Sequence, residues 1–528
     1  MMSRKTFILI IFILNVICGS ANSTGKSAAT ASATGSLTRL RSALDGIFAS
    51  PKFSHAQWGV KIASLDRNEI VYERNSERLL MPASNNKILT VSAALLSLGP
   101  DFQYQTQILQ DGQIAGTILK GNLVIVGCGD PSAAARFHSD DPFSVFREWA
   151  ARLKEKGILS IEGAILGEEG AFEEKALGNG WEVDDMTYGY AAPISAFQFN
   201  ENQIEIEISA GEQPGGPALL KTSPLEDYIQ LKNKTITVAT GSESPIQVDR
   251  ADGGEAITLR GKVPAGSKPL VRPVAVRNPT LYYLQALKKT LENEGVDVTN
   301  CSISVARGLN TASMTPLWIH VSLPLGEIIK PLLKTSQNLY AETLVRTLGL
   351  TMCREGSFAA GREIVEADLS LMGIEKGTYV YADGSGLSRQ NLLSPDLMLN
   401  ILRFISKHEW FQTFYEALAV ASVDGTLEQR MRGTKAASNV HAKTGAFANA
   451  RAISGYVRTA DGEMLAFSII CNNFLVPGQT VEAAQDSVLN LLANFKRGGK
   501  PAVRNSQMNL NYPLAHEEDL FLERSNAE

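Results

Sequence analysis

Apolar positions recur at helical spacing through Leu37, Leu40, Leu44 and Phe48, which predicts a helix with one buried face. The period then drops to two. Trp58-Gly-Val-Lys-Ile-Ala-Ser64 alternates, Asp66-Arg-Asn68 supplies turn residues and Ile70-Val-Tyr72 returns, so a hairpin is expected. A second helical stretch, Ile88 to Leu98, opens at Ser84-Asn-Asn-Lys87 and is closed by Gly99-Pro100. From about Asp101 to about Arg272 the character changes. Short runs such as Gly121-Asn-Leu-Val-Ile-Val126, Gln203-Ile-Glu-Ile-Glu-Ile208 and Thr235-Ile-Thr-Val238 sit between Gly, Pro and Asp clusters, as in a β-rich inserted module or two. Helical spacing resumes after Asn278-Pro279 through Leu281-Tyr-Tyr-Leu-Gln-Ala-Leu287 and Leu291, and another helix opens near Ser336. Ala452-Ile-Ser-Gly-Tyr-Val457 and Met464-Leu-Ala-Phe-Ser-Ile-Ile470 read as two strands around the turn Ala460-Asp-Gly462.

The two ends carry different signals. Arg4 and Lys5 precede the apolar run Phe7 to Leu14, which continues with one break to Cys18 before the small residues Gly19, Ser20 and Ala21. This is the pattern of an export signal over residues 1–22. A retained anchor is the alternative, but the run is short of the roughly 20 residues that span a bilayer. Ile17 stands where a lipid-modified Cys18 would want a small residue, which argues against lipidation. Residues 23–36 are small and polar and suggest a disordered linker. Residues 499–528 form a polar tail with acidic clusters. Cleavage would leave Cys128, Cys301, Cys353 and Cys471, which allow three disulfide connectivities that sequence does not choose between.

Composition narrows the function. A chain of 528 residues, 44% of them hydrophobic, has room for a large core and about three to four domain equivalents. Acidic residues exceed basic ones, 55 to 50, and no Lys/Arg run suggests a nucleic-acid stripe. Six histidines without ligand spacing and no Cys-x-x-Cys make a structural zinc site a poor expectation.

Three short motifs carry the candidate chemistry. Ser84-x-x-Lys87 puts a hydroxyl and an amine on one helical face. A serine nucleophile needs a proton acceptor, and a desolvated lysine beside another cation is neutral enough to serve. The motif alone is weak, since about one or two chance copies are expected in such a length. Ser23-Thr-Gly-Lys26 is a decoy of this kind, and the bland reading of Ser84 is a helix cap. Ser336-Gln-Asn338 is weaker still, being matched by Ser20-Ala-Asn22 and Ser84-Asn-Asn86, but it lies at a helix start where side chains reach a cleft. Lys443-Thr-Gly445, followed by Ala446, is the most specific. It stands before a strand, and its glycine lets a ligand approach the backbone.

Ser-x-x-Lys, Ser-x-Asn and Lys-Thr-Gly in this order form the active-site set of serine acyltransferases that react with penicillin. The 252 residues between Ser84 and Ser336 exceed the separation in simple β-lactamases and hold the β-rich insert. The chain thus resembles the D-alanyl-D-alanine carboxypeptidase/endopeptidase family, the low-molecular-mass class C penicillin-binding proteins. Gly129-Asp-Pro131, Ala192-Pro-Ile-Ser-Ala-Phe-Gln-Phe-Asn-Glu-Asn202, Asp383-Gly-Ser-Gly-Leu-Ser-Arg389 and Val423-Asp-Gly-Thr-Leu427 extend the resemblance over roughly residues 37 to 497.

The resemblance implies an α+β fold: a transpeptidase/β-lactamase-like domain, residues 37–100 and 273–498, with an antiparallel sheet flanked by helices and split by the insert at 101–272. It implies Ser84 as nucleophile, Lys87 as general base, Ser336 as proton relay to the leaving amine and Asn338 as the group holding the substrate amide. Lys443 and Thr444 would bind the terminal carboxylate, with the N–H groups of Ser84 and Ala446 as the oxyanion hole. It implies no cofactor and no metal. Peptidoglycan peptides would be substrates and β-lactams inhibitors, with no nucleic-acid partner, a periplasmic location and at most a loose membrane association. The insert, lacking a second motif set, would restrict access rather than supply catalytic groups. Two departures stand out: Cys128 where a third glycine is expected before Asp130, and Ala446-Phe-Ala-Asn-Ala-Arg451 in place of small hydroxyl residues.

Two other readings remain. A β-lactamase would share acylation but needs fast deacylation, and the nearest match to its acidic segment is Asp396-Leu-Met-Leu-Asn400. Ser394-Pro395 just before it make Asp396 more simply a first-turn acid on a new helix. The other reading is a catalytically silent wall-binding protein, against which the intact motifs argue.

Overall fold

The computed structural model describes residues 23–497 apart from 227, 242–243, 251–253 and 255. The expected export signal and polar tail lie outside the described residues. Six antiparallel strands form the central sheet, in the order Ala419–Val420, His441–Phe447, Ala450–Arg458, Met464–Asn472, Gln57–Ser64, Glu69–Arg74. Its middle strands are buried on both faces, as their near-continuous apolar sequence requires. Alternate residues serve two cores. Ile453, Val457, Leu465 and Phe467 meet Leu40, Leu44 and Phe48 of helix Ser23–Phe48 and Val481, Val488 and Leu492 of helix Gly478–Asn494. Ala452, Tyr456, Ala466 and Ile470 face the core that contains helices Lys87–Ser97 and Pro395–Ile405.

The first helix corrects one expectation. Residues 23–36 are not a tether in this structure; the helix begins at Ser23. Ala28, Ala29, Ala31 and Ala33 lie in that stretch and no proline interrupts it, so helix is permitted there although its serines, threonines and glycines are weak helix formers.

The insert also ends later than expected. Its largest sheet runs Ser302–Ala306, Ala164–Glu168, Ile118–Val126, Gln105–Ala115, Thr315–Val321, with Ser160–Glu162 beside Ile118–Val126. The last strand pairs with the first one after the split, so the inserted unit runs to Val321 rather than to residue 272. Ser322 N–H donates to the Tyr104 carbonyl at 3.0 Å and Tyr104 N–H to Ser322 Oγ at 2.9 Å, pinning exit to entry. Helix Pro279–Asn293, which was expected to restart the catalytic domain, packs instead on helix Ser144–Glu155 and this sheet. Its periodicity showed a buried face but not which core would bury it. Two three-stranded sheets complete the insert.

All four cysteines of the described residues are free thiols, so none of the three connectivities is formed. Cys128 Sγ lies 3.3 Å from Thr106 Oγ1, and burial pushes its thiol up to about 12. The unusual residue is therefore a packed, inert side chain.

Helix Asn338–Cys353 positions part of the candidate site and is itself set by a close helix contact. A Cβ on Gly361, in helix Phe358–Leu371, would collide with the Val345 carbonyl oxygen. Gly361→Ala should therefore cost about 1–3 kcal/mol, the usual penalty for overpacking. Urea unfolding checks this, and an unchanged midpoint would refute the contact.

Candidate active site

Ser84 sits in a single 3-10 turn, Ala83–Asn86, that runs directly into helix Lys87–Ser97. Ala83 adopts φ 47°, a left-handed conformation uncommon for a residue with a side chain. Two buried amides hold the turn. Asn85 Nδ2 donates to Ser454 Oγ at 2.7 Å, and Asn86 Nδ2 to the Asp383 carbonyl at 2.7 Å. Ser84 itself remains half-buried at the cleft.

Lys87 is fully buried, and its amine has three partners: Ser84 Oγ at 3.0 Å, Asn338 Oδ1 at 2.5 Å and the Ser385 carbonyl at 2.6 Å. Burial lowers its pKa to about 7, while Asp383 and Glu342 pull in the opposite direction. The partner types decide what this amine can do. Asn338 Oδ1 and the carbonyl only accept, and a neutral amine has two N–H groups and one lone pair. With both N–H groups given to those acceptors, the lone pair of neutral Lys87 faces Ser84, the one partner with a proton to surrender. The orientation of the Asn338 amide is fixed independently, because its Nδ2 donates to the Tyr190 carbonyl at 2.8 Å.

Ser336 and Lys443 meet on the other side of the cleft. Ser336 holds φ 66° just before helix Asn338–Cys353, and its Oγ accepts from Lys443 Nζ at 2.8 Å. Lys443 also donates to the Thr444 carbonyl at 2.8 Å, and burial together with repulsion from Lys87 holds its pKa well below the ordinary lysine value. Thr444 donates to Thr426 Oγ1 at 2.7 Å, and Ala446 is exposed. Gly445 carries the strand past the serine turn: a Cβ there would lie 2.4 Å from the Pro82 carbonyl oxygen and 3.1 Å from Ser84 N. The structure thus brings seven of the eight expected residues together, and Ala446 follows Gly445 on the same strand, paired with Arg451. The decoy Ser23-Thr-Gly-Lys26 falls on the first helix, remote in sequence from any of these contacts.

Several residues that complete the site carried no role in the sequence reading. Asp383 is fully buried and gathers the N–H groups of Gly386 at 2.7 Å and Ser388 at 2.6 Å, Asn391 Nδ2 at 2.8 Å and Trp181 Nε1 at 2.9 Å. Glu342 accepts from Ser385 N–H at 2.8 Å, and its neighbour Arg346 Nη1 lies 3.7 Å from the second oxygen. Asn338, Glu342 and Arg346 are spaced four apart, which puts them on one helical face; that was the available signal. Lys334 binds Asp424 Oδ2 at 2.7 Å and the Leu418 carbonyl at 2.9 Å, supporting the loop that bears Thr426. The insert takes part as well, through the Tyr190 carbonyl, Trp181 and Arg136, whose Nη1 reaches Thr335 Oγ1 at 3.2 Å.

Asp396 is the first-turn acid of helix Pro395–Ile405, capped by Ser394 Oγ and paired with Lys61. It is committed to that structure, which does not favour the β-lactamase reading.

The D-Ala-D-Ala carboxypeptidase 3 (S13) family profile matches residues 40–495. The chain belongs to that family. It is 33% identical over 486 residues to a D-alanyl-D-alanine carboxypeptidase of an Actinomadura species, covering 89% of this chain and 88% of that one. It is 29% identical over 416 residues to the D-alanyl-D-alanine carboxypeptidase DacB of Haemophilus influenzae, covering 78% and 84%. The crystal structure of penicillin binding protein 4 (dacB) from Haemophilus influenzae superposes with TM-score 0.73 at 26% identity, over 86% of this chain and 99% of that one. The same protein complexed with a β-lactam matches with TM-score 0.69 at 25% identity. This chain is accordingly a serine-type D-Ala-D-Ala carboxypeptidase acting on peptidoglycan, and the expected α+β fold is the one found.

In this carboxypeptidase the approach of Gly445 to the serine turn admits no side chain. Gly445→Ala should lower β-lactam acylation at least about tenfold while leaving the melting temperature within a few degrees, since only the cleft edge must move. Acylation at the parental rate would show that the cleft tolerates the displacement.

Proposed function

We propose that Ser84 is the nucleophile of this carboxypeptidase and Lys87 its base. The observation that carries the assignment is the amine with two acceptor-only partners and one hydroxyl partner at 3.0 Å. Ser84 Oγ bonds to the carbonyl carbon of the penultimate D-Ala as its proton passes to Lys87 Nζ. The N–H groups of Ser84 and Ala446 stabilise the oxygen anion that develops. The C–N bond then breaks, a proton returns to the leaving amine through Ser336, and D-Ala departs. Water, deprotonated by the same base, frees the acyl group. Asn338 holds the substrate amide, while Lys443, Thr444 and Gly445 receive the terminal carboxylate, which supplies the buried Lys443 with an anionic partner.

The same acyl transfer on a D-amino-acid cross-link is endopeptidase action, and we include it in the proposal. Arg4, Lys5 and the apolar run to Leu14 support export to the periplasm, with loose membrane association arising from chains that retain this segment. Among the described residues no helix is long and apolar enough to cross a membrane.

Intact-protein mass spectrometry after benzylpenicillin should show one adduct, on the peptide containing Ser84, and none in Ser84→Ala. An adduct on Ser336 would reverse the assignment.

The pH dependence follows from Lys87. Below a pKa of about 7 the amine is protonated and has no lone pair to offer. The acylation rate should therefore climb as pH rises through about 7 and level off above it. A rate that is flat through neutrality would reject Lys87 as the base.

A further inference from the structure

We propose that Glu342 is a positioning residue for acylation: through Ser385 it places the second acceptor of Lys87, so that one helix aims the lone pair of that amine at Ser84. The first acceptor, Asn338 Oδ1, belongs to helix Asn338–Cys353 directly. The second, the Ser385 carbonyl, belongs to a separate loop. Glu342, one turn along the same helix face, ties that loop to the helix by accepting the Ser385 N–H at 2.8 Å.

Other bonds hold the loop to helix Lys87–Ser97 and the serine turn, from Asn86 Nδ2 to the Asp383 carbonyl at 2.7 Å and from Thr90 Oγ1 to the Gly384 carbonyl at 2.6 Å, and the Glu342 bond is the one that joins Ser385 itself to helix Asn338–Cys353. Asp383 organises the loop internally, since its oxygens take N–H groups from Gly386 and Ser388 and the Asn391 amide. Gly386 N–H and the Ser385 carbonyl share one peptide unit, so the carbonyl cannot rotate without breaking that bond. Gly386 adopts φ 78° and packs against the Ala83 carbonyl beside Ser84, with no space for a Cβ. Glu342 is fully buried, and its second oxygen makes no hydrogen bond. Arg346, 3.7 Å away, is in turn held by Glu173 at 3.3 Å and the Lys175 carbonyl at 3.1 Å. A fully buried acid with one hydrogen bond is costly to keep, and a neutral residue would pack there more cheaply. Burial and the neighbouring Asp383 push the Glu342 pKa up to about 7, so above neutrality it is an anion and, with Asp383, opposes the loss of proton affinity that burial imposes on Lys87. The charged and titratable groups facing Lys87 are Glu342 with Arg346 behind it, Asp383, Lys443 across the cleft, and Tyr381, which couples to both acids.

The inference rests on Lys87 being the base, and the test keeps the two apart. Acylation of the full chain by a fluorescent penicillin is followed across the pH range in Glu342→Gln, Glu342→Ala and Lys87→Ala. Glu342→Gln keeps an acceptor for Ser385 N–H but removes the charge. It should acylate within about threefold of the parent above the base limb, and that limb should move about one unit to lower pH, the low end of what a nearby opposite charge does. Glu342→Ala unties Ser385 from helix Asn338–Cys353 while the loop's other bonds remain, and the displaced acceptor should cost about tenfold in acylation rate, with reversible penicillin binding changed far less. A parental rate in Glu342→Ala, or an unmoved limb in Glu342→Gln, overturns the proposal. Should Glu342→Ala not fold, the limb of Glu342→Gln decides alone. Parental acylation in Lys87→Ala would instead sink the base assignment itself, whereas an inactive Lys87→Ala beside parental Glu342 variants would sink only the role of Glu342.

Discussion

The burial of one amine among three hydrogen-bond partners is the constraint on which this active site depends. Lysine is almost never fully buried unless its head is satisfied. Here Lys87 is satisfied by groups from three parts of the chain: the serine turn, helix Asn338–Cys353 and the loop at Ser385. The first is local to the helix start, whereas the other two can be in place only if the domain is folded around the amine. Burial lowers the pKa toward neutrality, and the two acids behind the amine limit how far it falls. The same contacts thus fix both where the lone pair points and the pH at which it exists.

This dependence explains why the insert is more than a fence around the cleft. It leaves the chain after helix Lys87–Ser97 and returns at helix Leu325–Lys334, with its ends stapled at Tyr104 and Ser322. Between those points it sends the Tyr190 carbonyl to the Asn338 amide and Trp181 Nε1 to Asp383. Neither group reacts, yet each fixes something that touches Lys87 or its loop. The expectation that the insert supplies no catalytic groups is compatible with these contacts. A clean separation between insert and active site is not, because removing the insert would take away the Tyr190 carbonyl that Asn338 Nδ2 donates to, leaving Lys87 alone to orient that amide.

What was legible in the sequence was whatever period or motif states locally. The strands at 452–457 and 464–470 were readable because a near-continuous apolar run records burial on both faces, and the hairpin after Trp58 because two alternating runs flank turn residues. The three motifs were readable because side-chain chemistry needs fixed residue types at short spacing. Helix Pro279–Asn293 shows the limit: its apolar face was visible, but which core would bury it was not, so the boundary of the insert was set about fifty residues early. Asp383 and Glu342 show another. Their importance lies in main-chain N–H groups of Ser385, Gly386 and Ser388, which no side-chain pattern reports. Only the four-residue spacing of Asn338, Glu342 and Arg346 hinted that the helix had a polar, buried face.

Charge balance gives the last step. Two lysines share the cleft, and both acids that act on Lys87 lie on its side, behind Ser385. Lys443 binds a hydroxyl and a carbonyl, and what acts on its charge is burial and repulsion from Lys87, both unfavourable. In the proposed reaction the missing anion arrives with the substrate. A terminal carboxylate on Lys443 would pair that charge and raise its proton affinity, in a place where few other counterions can follow. Recognition of a free C-terminus is then a consequence of how the folded protein distributes its acids. On the proposed roles, Lys87 has Glu342 and Asp383 beside it before substrate binds, whereas Lys443 waits for the carboxylate of the substrate.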